Sequence, residues 1–248
     1  MKLLIMRYLL LITVLFVEIC VWGQEKVYSV PFNQNDSQWK SYKSTSERLK
    51  ALQIPDDIIA IIPTSQLLEV CLEFPYFMDI LFANNLQEGF VGLRDEYNGL
   101  QELMKRKDVA DAIISKQKEL DSRIKAVIQA TDIEKGMLSA REVLLGMIAA
   151  QNEIIDNIDA KKLLELLVLS NENAKKMKLY NDIFCGINEV PLNLLYTRIV
   201  LNDKEFTSTI DSKILDDMRE FSLSPVILGK GCSELVLNYI NKKISTTR

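Results

Sequence analysis

The sequence predicts an all-α protein: an irregular stack of helical hairpins, α-solenoid-like or a multi-helix superhelix, with about nine helices. Three observations predict it. Gly at 9 and Pro at 6 are scarce in 248 residues, and the abundance of Leu, Ile, Glu and Lys favours helices. Apolar residues recur at three- and four-residue spacings, and no segment alternates strongly enough to require a strand. Capping residues stand where those periodic runs begin, and prolines stand where they break.

The elements follow in chain order. Lys2 and Arg7 precede an almost wholly apolar run over residues 8–17, and Val21, Trp22 and Gly23 bring a small residue to the end of the segment. This is the pattern of a secretory signal peptide over residues 1–23, cleaved between Gly23 and Gln24. The apolar run is short for a membrane span, which needs about 20 residues. Two alternatives are an uncleaved anchor and lipidation of Cys20. The second is weakened by Val17-Glu18-Ile19, where a lipobox carries Leu and small residues.

Residues 24–43 read as an extended polar leader with Pro31, Asn33, Asn35 and Asp36, pinned by Trp39 and Tyr42. Asn35-Asp36-Ser37 fits an N-glycosylation sequon. Residues 44–248 form the expected single helical domain. Ser44 and Glu47 have capping-box spacing, so a helix runs to about residue 53 and stops before Pro55, which starts the next. Pro63 breaks that one, with Thr64 or Ser65 capping its successor. Pro75 interrupts again amid Phe74, Tyr76, Phe77, Ile80, Leu81 and Phe82. Asn84-Asn85 is a loop, and Asn98-Gly99 a turn or helix junction. One long helix is expected over 108–130, capped by Asp108. A second capping box, Ser139 with Glu142, starts the next, and these two form an antiparallel hairpin. Further helices are expected over 159–179, 191–201, 211–221 and 233–244.

A faint internal repeat runs through this pattern. Ile58, Ile59, Ile62, Leu67, Leu68 and Glu69 find identical residues 96 positions on, at Ile154, Ile155, Ile158, Leu163, Leu164 and Glu165. A true duplication would suggest stacked helical hairpins.

The composition restricts the chemistry. Histidine is absent, which removes Ser-His-Asp and Cys-His catalysis, the usual zinc sites and histidine pH switching. Loss of the first 23 residues leaves 28 positive and 33 negative side chains, so no global field attracts nucleic acid or an anionic membrane. Lys105-Arg106-Lys107 and Lys175-Lys176 read as solvated helix faces or ends. Cys71, Cys185 and Cys232 remain, an odd number in an exported chain. Cys71 lies in an apolar run and reads as core, while Cys185 with Cys232 is the better candidate bridge.

No motif points to a catalytic, cofactor or metal site. Ser37-Gln38-Trp39-Lys40 and Ser122-Arg123-Ile124-Lys125 have Ser-x-x-Lys spacing but lack its companion motifs. Gly229-Lys230-Gly231 lacks the earlier glycine of a phosphate loop and reads as a turn. Asp211, Asp216, Asp217 and Glu220 cluster on one helix without the pattern of a calcium loop.

The stretch Ile54-Pro55-Asp56-Asp57, Leu67-Leu68-Glu69-Val70-Cys71, Phe74-Pro75-Tyr76, Glu88-Gly89-Phe90 and residues 97–103, through Arg106-Lys107-Asp108 and later Val190-Pro191 with Leu194-Leu195-Tyr196, resembles a family of exported all-helical proteins from Gram-negative anaerobic bacteria. These motifs are structural, and the resemblance implies location and fold but no catalytic residues. The expected product is exported to the periplasm, the outer membrane or the medium. It is expected to be a protein- or peptide-binding or scaffolding module of the cell envelope, with an envelope protein or peptide as partner. It needs no cofactor and touches membrane only through its export signal or Cys20. The alternative is a carboxylate-dependent envelope hydrolase cleaving glycan or peptidoglycan.

Overall fold

The computed structural model describes residues 27–30, 37–184 and 186–246. The cleavage site Gly23–Gln24, Cys20, Asn35, Asp36 and Cys185 lie outside the described residues. Those described are helical without a strand. The α-helices are α1 (Ser37–Ser41), α2 (Thr45–Ala51), α3 (Asp56–Ile61), α4 (Thr64–Leu72), α5 (Leu86–Glu96), α6 (Asn98–Leu103), α7 (Val109–Lys118) and α8 (Leu120–Val127). They continue with α9 (Asp132–Ala149), α10 (Asn152–Ile155), α11 (Ala160–Leu179), α12 (Glu189–Leu201), α13 (Lys204–Thr209), α14 (Ser212–Leu223) and α15 (Lys230–Thr246). Two 3-10 helices, Phe77–Phe82 and Gly186–Asn188, complete the set. None of the described helices is long and apolar enough to cross a membrane.

The helices are shorter and more numerous than the nine expected, and the long helix over 108–130 shows why. It breaks at Glu119 into α7 and α8. The break turns Leu120 and Ile124 away from the main core into a second cluster with Leu138, Ile183 and Phe184. Asp108 stands at the N-cap position of α7, as expected, but its side chain makes no capping bond; its carboxylate accepts from the Thr64 hydroxyl at 2.7 Å. Thr64 is thereby drawn away from capping α4. The start of α9 also differs. Its capping box is Thr131 with Glu134, the same spacing as Ser139 and Glu142 but further upstream. Ser139 and Glu142 instead lie inside the helix and are buried. Residues 37–41 of the expected extended leader form α1. Trp39 packs there on Tyr42 and Tyr76, at 5.9 and 6.4 Å between ring centroids. The glycine turn before the last helix is also shorter than read, since α15 already includes Gly231.

Other starts follow local chemistry. Asn85 accepts from the Gln87 and Glu88 amides at 3.0 Å and caps α5. Asp159 and Asp211 cap α11 and α14 in the same way, each satisfying an amide that the first turn leaves without a helical partner.

The centre is built by α9 and α12, which pack on each other. Val143, Leu144, Met147 and Ile148 of α9 and Leu194, Leu195 and Val200 of α12 are all buried; helices apolar on several faces belong inside a fold. On one side α9 contacts α4, α5, α7 and α8; on the other α12 contacts α14 and α15, and α11 bridges α7 and α15. The main core cluster extends from Leu52 to Ile244. Close approaches fix the spacing. A Cβ on Gly146 would lie 2.7 Å from the Pro191 Cβ, and one on Gly89 2.5 Å from the Ile80 carbonyl oxygen.

Polar side chains join the helix ends. Asn98 Nδ2 donates to the Ile54 carbonyl at 2.8 Å while its Oδ1 accepts from the Ile54 amide at 3.0 Å. Arg106 donates to the Ile59 carbonyl at 2.6 Å and the Ile62 carbonyl at 3.4 Å, closing the end of α3. Arg106 thus leaves the expected solvated basic cluster to serve as a helix cap.

Candidate functional site

Two grooves of comparable size open between the helices, one amide-lined and one charged. The first has a volume of about 420 Å³ and lies between the C-terminal half of α11, the first turns of α12 and the face of α15. Helical spacing puts one stripe of each helix on it. The stripes are Asn171, Ala174 and Lys178 on α11; Glu189, Leu192, Asn193 and Tyr196 on α12; Ser233, Leu237 and Asn241 on α15. Met177 and Phe184 add to its apolar surface, and Asn181 and Asn188 to its amides.

Several of these groups are engaged. Asn171 Nδ2 donates to Asn241 Oδ1 at 3.3 Å, tying α11 to α15. Asn188 exchanges hydrogen bonds with Ser139, and Lys178 pairs with Glu189 at 3.1 Å. Asn181 and Asn193 have no side-chain partner among the described residues. Tyr196 is only 1% exposed, and its buried hydroxyl has no hydrogen-bond partner among the described residues. Burial pushes its phenol well above the ordinary value. A buried hydroxyl left unpaired costs about 1–3 kcal/mol; Tyr28, Tyr97 and Thr197 share that condition, and of these four Tyr196 is the one that lines the groove.

The second groove, of about 410 Å³, lies between α4, α7, α8 and α9. Glu142 is its buried carboxylate. Arg123 Nε donates to Glu142 Oε1 at 2.8 Å, and its Nη2 sits 2.6 Å from the same oxygen in an ion-pair contact poorly angled for a hydrogen bond. Arg123 Nη1 also donates to the Lys116 carbonyl at 2.6 Å. Burial pushes the Glu142 carboxyl up, against the pull of Arg123 and then Lys116. Lys116 itself pairs with Glu69 and Glu119, and Glu134 is taken up by the Thr131 cap. An acid–base pair needs one carboxyl free to give a proton and one free to take it. Glu69, Glu134 and Glu142 are all already held.

The motif candidates resolve as structure. The Ser122 hydroxyl donates to the Glu119 carbonyl at 3.0 Å. Lys230 is exposed at the start of α15, and the Ser233 amide donates to the Gly229 carbonyl as an ordinary helical turn. Asp211 is a cap, and Asp216 pairs with Arg219. No group of three potential metal ligands occurs among the described residues. Cys71 is buried and free, and Cys232 is a free, half-buried thiol.

Sequence reasoning did not find the amide groove. Its asparagines are spread from 171 to 241, and only the packing of α11, α12, α15 and the segment that joins the first two gathers them. No protein-family model matches the chain, and no curated protein or solved structure shows significant similarity to it.

Proposed function

We propose that the chain is an exported helical binding module that takes a protein segment or peptide in the amide-lined groove between α11, α12 and α15. The observation that carries this reading is Tyr196. A large apolar–polar side chain is buried at the lining of an open groove with no hydrogen-bond partner for its hydroxyl among the described residues. The same groove is lined by the unpartnered amides of Asn181 and Asn193. Ligand grooves combine apolar surface with a few placed polar groups in this way.

The stacked architecture is part of the proposal. Helices α3 and α4 begin at residues 56 and 64, and α10 and α11 begin 96 residues later, at 152 and 160. Helices α8 and α14 end at 127 and 223, the same offset. Ala140, Leu144 and Ile148 of α9 are buried, and so are Val236, Ile240 and Ile244 of α15. Positions Met137, Leu138 and Arg141 line the second groove, while Ser233, Glu234 and Leu237 line the first. Equivalent faces of equivalent helices thus wall the two grooves, which supports a tandem pair of helical units stacked end to end.

The test is affinity capture from intact cell envelopes with the purified protein, alongside the variant Leu237→Lys. Leu237 is 42% exposed, so the charge blocks the groove without entering the core. Partners held by the native protein and lost with the variant support the reading; partners retained equally by both overturn it. The competing reading is a carboxylate-dependent hydrolase at the second groove, against which stands the engagement of Glu69, Glu134 and Glu142 with Lys116, Thr131 and Arg123. Glycan turnover abolished by Glu142→Gln, with no groove-dependent partner, would establish it instead.

A further inference from the structure

Building on the binding role of this groove, we infer that its occupant is an extended, uncharged peptide segment carrying an aliphatic side chain, held by its backbone amides. The hydrogen-bonding complement selects the backbone form. Asn181 and Asn193 have no side-chain partner among the described residues, so each offers two donors and an acceptor. An extended peptide brings unpaired N–H and C=O groups that match this amide chemistry. A bound α-helix satisfies its own backbone internally and would leave these amides and the Tyr196 hydroxyl unused.

The lining selects the rest. Leu237 with Leu192 offers an aliphatic surface. The two aromatic residues, Phe184 and Tyr196, are 3% and 1% exposed, so neither presents an open ring face on which a sugar could stack. The rim carries two lysines and two glutamates, with Lys178 and Glu189 paired. That balance gives no net field for a polyanion or a strongly basic segment. The Tyr196 hydroxyl, buried at the lining of this groove with no partner among the described residues, completes the arrangement if a bound peptide carbonyl reaches it and accepts its hydrogen bond.

The experiment measures affinity of the full-length purified protein by fluorescence polarisation. Three probes are used: unstructured uncharged octapeptides with a central Leu or Ile, the same sequences stapled as helices, and chito-oligosaccharides. The expected result is saturable binding of the unstructured peptides alone. Asn193→Asp and Tyr196→Phe should each weaken it about five- to tenfold, as the loss of one hydrogen bond does. Tyr196→Phe should at the same time raise the melting temperature of the free protein, because the orphan hydroxyl is removed. A stabilised Tyr196→Phe with unchanged affinity overturns the role of the hydroxyl. Tighter binding of stapled peptides overturns the extended form but leaves the binding function standing. Groove-dependent binding of the oligosaccharides overturns the peptide class. Failure of all three probes, together with no groove-dependent envelope partner, overturns the binding function itself.

Discussion

The Arg198 guanidinium donates to the Ala150 carbonyl at 2.7 Å, across the junction where α9 ends and α10 begins. Its other terminal nitrogen reaches the Ser222 carbonyl at 2.8 Å and Gln87 Oε1 at 3.1 Å. One buried cation therefore joins the end of α9, the start of α5 and the end of α14. None of these partners is a carboxylate, and burial lowers the affinity of Arg198 for its proton. Arg198→Met should strand three acceptors and cost about 3 kcal/mol. For a chain of this size that is a fall of roughly 6–12 °C in melting temperature, read by calorimetry. A shift below about 2 °C would show that the bonds contribute no net stability.

Arg123 and Glu142 predict a pH-dependent result. Removing one partner of a buried pair costs about 3–5 kcal/mol, so Arg123→Met should be strongly destabilised at neutral pH. Burial already raises the Glu142 carboxyl, and without Arg123 it rises further. Stability tied to a raised carboxyl is full below the unfolded value of about 4.5. It is lost as pH rises through the folded value. The variant should therefore be more stable near pH 4 than its neutral-pH deficit implies. Adding Glu142→Leu should recover most of the loss, and denaturant titrations at the two pH values check both outcomes.

Two glycines of one helix should respond with opposite sign. Gly89 of α5 faces the Ile80 backbone, and a methyl group there would have to displace main chain. Gly89→Ala should cost about 2–3 kcal/mol. A Cβ on Gly92, one turn on, would meet nothing within 4 Å, so Gly92→Ala should gain about 0.5–1 kcal/mol from helix propensity. Urea midpoints of the two variants decide the matter, and equal signs would refute the packing of α5 on the 3-10 helix.

Asp203 caps α13 and accepts from Lys243 of α15 at 2.7 Å. The Lys243 hydrogen bond, followed by that of Tyr239, holds its carboxyl below the ordinary value of 3.8. Its contribution is complete above that value. It disappears as pH falls through the depressed folded value, since the unfolded chain takes up the proton first. Asp203→Asn keeps a good cap and removes the ion pair, so it should cost about 0.5–1 kcal/mol at pH 7. The cost should shrink towards pH 3. A pH-independent cost would assign the effect to the cap instead.

The sequence by itself determined what local chemistry controls. The all-helical class came from residue spacing and scarce glycine. The breaks at Pro63, Pro75 and Asn98-Gly99, and the helix starts near Asp159 and Asp211, need only a residue and its near neighbours. The absence of histidine chemistry is composition alone. Ser139 and Glu142 mark where this reasoning fails. Their spacing is that of a helix start, yet Asn188 and Arg123 claim them from other elements, and Thr131 with Glu134 takes the cap. Glu119 likewise interrupts an unbroken apolar rhythm because the second cluster draws Leu120 and Ile124 inward. Tertiary structure alone decided the groove. Tyr196 has an ordinary core spacing on α12, and the asparagines that share its groove come from α11, the turn after it, the 3-10 helix Gly186–Asn188, α12 and α15. Only the packing of α11 and α15 against α12 brings those amides to the groove that Tyr196 lines, where its hydroxyl has no partner among the described residues.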